Sequence, residues 1–95
     1  MEEGTYWKMR DWWEKQSAPF ICHYCGKSPL VRGAKVKPSK RATADHYIPK
    51  FRKGSQQEKN IVIACGSCNR DKGVLMPDEW KAVLEYRKVR DLKDV

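Results

Sequence analysis

Apolar residues change their spacing several times along the chain, and each change marks an element. Over residues 5–16, Tyr6, Met9, Trp12 and Trp13 recur at helical spacing among charged side chains, which predicts an amphipathic helix with Thr5 as N-cap. Pro19 stops it. Pro29, Gly33 and Pro38 break up residues 27–40, which read as an irregular loop or ragged strand. Residues 41–45 form a short strand candidate with His46 at its end, and the polar, Gly54-containing residues 49–59 form a loop. Ile61-Val62-Ile63-Ala64 is the clearest buried strand. Residues 66–72 then read as a short helix closed by Gly73. Pro77-Asp78-Glu79 opens a last helix, its stripe formed by Trp80, Val83, Leu84 and Tyr86. The pattern predicts one small α+β domain over residues 1–95, without repeats or a linker.

Composition narrows this picture. Hydrophobic residues make up 40%, too many for a disordered chain yet few for a domain that relies on core burial alone. No apolar run is long enough to span a membrane. Residues 1–10 carry Glu2, Glu3, Lys8 and Arg10 and lack the apolar segment of a signal peptide, so a cytoplasmic protein is expected.

Charge matters by position. The formal net charge is +8, and residues 27–59 hold the excess: ten Lys and Arg stand against Asp45 and Glu58 alone. A basic middle flanked by nearly neutral ends is the footprint of a phosphate-backbone partner, whereas the same lysines spread evenly would only keep a surface soluble.

The four cysteines fall as Cys22-His23-Tyr24-Cys25 and Cys65-Gly66-Ser67-Cys68. Each pair is a turn that offers two thiolates to one side of a metal, and together they predict a tetrahedral structural Zn²⁺ site. Disulfides do not suit a chain without an export signal, and a redox Cys-x-x-Cys needs one pair on a βαβ pattern that is absent. Four protein ligands leave the zinc no open position, so its work is folding. His23 is expected at the surface.

Between the two turns stands a second constellation. If the strands on either side of the loop pair antiparallel, Asp45, His46 and Asn69 converge. A carboxylate and an amide oxygen are hard donors that suit Mg²⁺ or Mn²⁺. An adjacent imidazole suits a general base for water.

Asp45-His46-Tyr47-Ile48-Pro49, Gly54, and Asn60 through Gly73, with both Cys pairs, resemble the HNH (ββα-metal) endonuclease family over residues 22–73. The resemblance implies a small ββα-metal core with flanking helices. It implies Asp45 and Asn69 as ligands of a catalytic metal, His46 as general base, and Asn60 as the residue that holds the loop and orients the base. With Asn69 in the third position the chain is an HNN variant, as among phage resolvases. A single Gly54-Ser55 replaces the frequent Gly-Gly of the loop.

The expected activity is metal-dependent hydrolysis of DNA phosphodiester bonds with weak sequence preference. Arg70, Lys72, Lys50 and Arg52 are candidate phosphate contacts. A monomer would nick and a homodimer could cut both strands. The rival reading is a zinc-stabilised module that binds nucleic acid without cutting it.

Overall fold

A computed structural model describes residues 6–93. Helix α1 (Met9–Glu14) leads into the first Cys turn; strands β1 (Ala42–His46) and β2 (Ile61–Cys65) follow, then helices α2 (Gly66–Lys72) and α3 (Pro77–Lys93). The strands form a two-stranded antiparallel sheet whose register runs from Ala42 opposite Cys65 to His46 opposite Ile61. The small α+β, ββα architecture expected from the sequence is therefore present. No helix among the described residues is long and apolar enough to cross a membrane.

The β-branched run of β2 suits a half-buried pleat. Its end flows directly into α2, because the Sγ of Cys65 accepts the backbone N–H of Cys68 and so caps the helix. The second Cys turn is thus also the N-terminus of α2. Gly66 could not be larger: a Cβ there would lie 2.9 Å from the carbonyl oxygen of Pro38. Pro77 starts α3, and Glu79 reaches back to the N–H of Met76 at 2.8 Å, half of a capping box. An ion pair between Arg87 of α3 and Asp71 of α2 (3.2 Å) ties the two helices. Hydrogen bonding from Arg70, supplemented by Arg87, holds the Asp71 carboxyl below its ordinary value.

The core is small, and three of the four cysteines belong to it. Trp12, Trp13, Leu30, Ala42, Ile61, Ala64 and Trp80 pack around Cys22, Cys65 and Cys68. Trp12 and Trp13 are core residues rather than stacking surfaces, as their helical spacing implied.

Two expectations need correction. The first helix starts at Met9 rather than residue 5, because Tyr6 forms a β-bridge with Gln57 and the Trp7 N–H donates to the Gln56 carbonyl at 2.8 Å, which keeps residues 6–8 extended. Thr5, the expected N-cap, lies outside the described residues. Tyr86 is exposed: six residues beyond Trp80 it has rotated off the face that Val83 and Leu84 share with that tryptophan. Residues 27–40 are irregular and ragged as expected, with isolated bridges Phe20–Leu30 and Val31–Arg41 and a 3₁₀ turn at Pro38–Lys40. Arg41 holds that stretch from inside, donating to the carbonyls of Val36 and Ala34, so this cation of the basic middle is spent on structure.

Candidate active site

Two candidate sites share the seven residues of α2. In the first, the Sγ atoms of Cys22, Cys25, Cys65 and Cys68 lie within 4.8 Å of one another. A tetrahedral zinc thiolate site places its sulfurs about 3.8 Å apart, so the cluster fits a metal ion such as zinc. Backbone N–H groups of Cys25 and Cys68 point at the Sγ of Cys22 and Cys65, at 3.5 and 3.4 Å. Burial pushes the Cys25 and Cys68 thiols up, and neighbouring cysteines add to it. For Cys22 burial acts upward too, but backbone N–H groups of Cys25, Cys65 and Tyr24 outweigh it and its thiol lies lower than usual. Four crowded thiols of this kind call for a cation to compensate them as thiolates. His23 is exposed and stands outside the cluster, as expected; its N–H instead fastens the first turn to β2 through the Ile63 carbonyl at 2.8 Å.

The second site lies where β1 ends. Alternation along the strand puts Thr43 and Asp45 on one face and Ala44 and His46 on the other. Helix α2 runs along the Thr43–Asp45 face. Asn69 donates through Nδ2 to the Thr43 hydroxyl at 3.0 Å, and Lys72, one turn on, reaches Asp45 Oδ2 at 3.1 Å and the His46 carbonyl at 3.0 Å. The Tyr24 hydroxyl donates to the same Asp45 oxygen. Burial, then that hydrogen bond and the Asp45 charge, push the tyrosine hydroxyl far above its ordinary value, so it stays a donor.

Asp45 is 8% exposed, and its second oxygen has no hydrogen-bond partner among the described residues; nor has the Oδ1 of Asn69. Two hard oxygens, one from β1 and one from α2, thus remain free beside the same face. The donor set fits a divalent cation such as Mg²⁺ or Mn²⁺. The Lys72 ammonium already neutralises part of the Asp45 charge.

The expected convergence of all three side chains needs correction: Asp45 and Asn69 lie on the α2 side of β1, but strand alternation turns His46 the other way. Its ring meets Trp7 edge-to-face at 5.7 Å, and its Nε2 lies 2.7 Å from the amide oxygen of Gln56. An amide oxygen only accepts, so Nε2 carries the proton and Nδ1 keeps the lone pair. The loop that delivers Gln56 is rigid. Asn60 is buried, accepts from the Ile48 N–H at 2.9 Å and donates to the carbonyls of Ile48 and Ser55 at 3.0 and 2.8 Å. A Cβ on Gly54 would lie 1.8 Å from the Ile48 carbonyl oxygen, so only glycine closes this loop. Asn60 therefore acts on the loop backbone, and its side chain has no donor to spare for substrate.

The basic candidates separate. Lys50 is exposed, and Arg52 and Arg70 are exposed although paired with Glu79 and Asp71 at 3.3 and 3.2 Å. Lys72 corrects the expectation of a phosphate contact: its side chain is 0% exposed and its ammonium is committed to Asp45 and the His46 carbonyl. Position Asn69 plus three, facing β1, was the available signal that it points inward. Gln56 and Trp7, the two neighbours of the His46 ring, had no signal in the local pattern.

The family model for HNH endonuclease matches residues 22–74, more than half the chain. The chain belongs to the HNH endonuclease family. The match begins at the first ligand of the Cys cluster and ends just after α2, so it takes in both sites and leaves α1 and most of α3 outside. A search among curated proteins found no match. As an HNH domain with a Cys metal cluster, the protein is of a nuclease type that acts on nucleic acid, and the family uses a divalent metal.

Proposed function

We propose that the protein is a metal-dependent DNA endonuclease that cuts one strand at a time, with a structural Zn²⁺ at the four cysteines. What carries this reading is the pair of free hard oxygens from Asp45 and Asn69 on the α2 side of β1, with the His46 imidazole, held through Nε2 by Gln56, at the end of the same strand on its other face.

Asp45 and Asn69 would hold one Mg²⁺ or Mn²⁺. A divalent cation bound there supplies Lewis-acid stabilisation of charge on the scissile phosphate and the leaving 3′-oxygen. His46 takes the proton of the attacking water at Nδ1, because Gln56 holds the other proton of the ring in place. Asn60 keeps the loop that carries Gln56 in register. Lys72 supplies the buried countercharge of Asp45. Lys50, Arg52 and Arg70 grip the flanking backbone, so affinity falls steeply with salt. Supercoiled plasmid incubated with the zinc-loaded protein is expected to become open-circular once Mg²⁺ or Mn²⁺ is added. Plasmid left supercoiled under every divalent ion would refute the activity.

One observation favours the rival, a DNA-binding module without catalysis. Asp45 Oδ2 already receives both Tyr24 and Lys72, a degree of compensation that a purely structural carboxylate would also show. Metal-independent DNA binding without any nicking would select that reading.

A further inference from the structure

A cavity of about 180 Å³ opens between the first Cys turn and α3, away from the His46 face of β1. Tyr24, Tyr47, His23 and Trp80 wall it, and Lys81 stands at its edge. The rings of Tyr24 and Tyr47 are nearly parallel (14°, centroids 6.5 Å apart), and His23 stands at 86° to both, with centroids 5.5 and 5.6 Å away. Tyr47 is 37% exposed and His23 is exposed, although aromatic rings gain most by burial. Trp80 is buried, and its indole N–H has no acceptor among the described residues.

The cavity shares one residue with the surroundings of the candidate active site. The Tyr24 ring lines it while the Tyr24 hydroxyl donates to Asp45. Tyr47 directly follows His46. A second hollow, about 400 Å³, continues from Tyr24 along α3 past Lys81 and Lys88, with Glu85 its acidic group. Neither lysine has an ion-pair partner among the described residues. Aromatic faces beside unpaired cations, next to a phosphate-handling site, are what an unpaired nucleotide requires: every base has a π-face, and every linkage a negative charge.

We propose that this cleft is a nucleobase subsite, in which an unpaired base adjacent to the scissile phosphate stacks on Tyr47 and His23 while Lys81 takes the next phosphate. The proposal rests on the nucleic-acid reading above and refines its substrate class to DNA with unpaired bases, such as single strands, flaps and branch points. Duplex DNA, whose bases are stacked on one another, leaves the cleft empty.

The test uses the zinc-loaded full chain in buffer without Mg²⁺ or Mn²⁺ and a short single-stranded oligodeoxynucleotide bearing 2-aminopurine. Binding is expected to quench the 2-aminopurine, and the single strand is expected to bind more tightly than its duplex. Tyr47→Ala should weaken single-strand binding on the order of tenfold and abolish the quench. Tyr47→Phe should keep both, because the ring and not the hydroxyl does the stacking. Should Tyr47→Ala fail to fold by circular dichroism and zinc content, His23→Ala, at an exposed ring, reads the same site and should reduce the quench. Unchanged quenching and affinity in a folded Tyr47→Ala or His23→Ala overturns the proposal, as does tighter binding of the duplex with no quench of the single strand. Quenching with neither the single strand nor plasmid cut when Mn²⁺ is added in parallel assays supports the subsite and removes the nuclease reading; cleavage without quenching removes the subsite alone.

Discussion

The thiol cluster of this chain and the oxygen pair proposed to bind a second metal meet in a single seven-residue helix yet are built in opposite ways. In the thiol cluster the chain supplies all four donors, two of them from α2 and its cap, and buries three. Nothing is left over. In the oxygen cluster every group is anchored by one atom and free at another: Asp45 through Oδ2, Asn69 through Nδ2, His46 through Nε2. Full satisfaction holds a structure together. Half satisfaction leaves aimed groups free for a ligand, and the protein keeps that incompleteness in place by means of the complete site next door. On the proposed reading, the soft, closed cluster builds the fold and the hard, open cluster acts.

The largest expected effect comes from emptying the closed site. Binding of a structural zinc supplies about 10–16 kcal/mol of apparent free energy, which a core of this size cannot replace. Chelation, or Cys68→Ser, should therefore unfold the protein, with circular dichroism and released zinc changing together; a folded, metal-free chain would break the comparison at its first half.

In the open site the same kind of deletion should leave the fold alone. His46→Ala is expected to lose about 10²–10⁴-fold in cleavage rate with zinc content and circular dichroism unchanged. Wild-type cleavage by this variant would remove His46 from the mechanism.

Lys72 lies between the two cases. It is buried, and removing it leaves the Asp45 carboxylate without its countercharge. Lys72→Met should cost about 3–5 kcal/mol in denaturant unfolding. A stability equal to wild type would mean that Asp45 is not held in this way.

The smallest effect belongs to Gln56. Gln56→Ala frees the imidazole to adopt either tautomer and should slow cleavage about tenfold. Gln56→Glu separates orientation from bulk: a carboxylate beside the ring favours imidazolium, so the acidic limb of the pH–rate profile should move to higher pH. An identical profile for both variants would reduce Gln56 to a bystander.

How far these features were legible in the chain follows from how local each is. Cys22, Cys25, Cys65 and Cys68 declare themselves by short spacing, and the β2–α2 junction by an apolar run that ends at a Cys turn. Asp45, His46, Asn60 and Asn69 carry a family pattern, and the antiparallel register that brings the strands together follows from the loop between them. What was not legible depends on partners distant in sequence. The extended Tyr6 and Trp7 need Gln57 and Gln56; the inward turn of Lys72 needs β1 beside α2; the tautomer of His46 needs a loop residue ten positions on. Charge also misleads when read as free surface, since Lys72 is buried against Asp45 and Arg41 is spent on the carbonyls of Ala34 and Val36.

The central claim, that the chain has one metal site for folding and another for chemistry, is tested most directly by titrating Mn²⁺ into zinc-loaded protein and following the nicking of supercoiled DNA. Asn69→Ala is the variant to set beside wild type, because it removes a free oxygen without stranding the buried Lys72. Wild type should be inert with zinc alone and nick on addition of Mn²⁺, and Asn69→Ala should need at least about tenfold more Mn²⁺ for half-maximal rate. Nicking with zinc alone, or superimposable titration curves for the two proteins, would contradict the account.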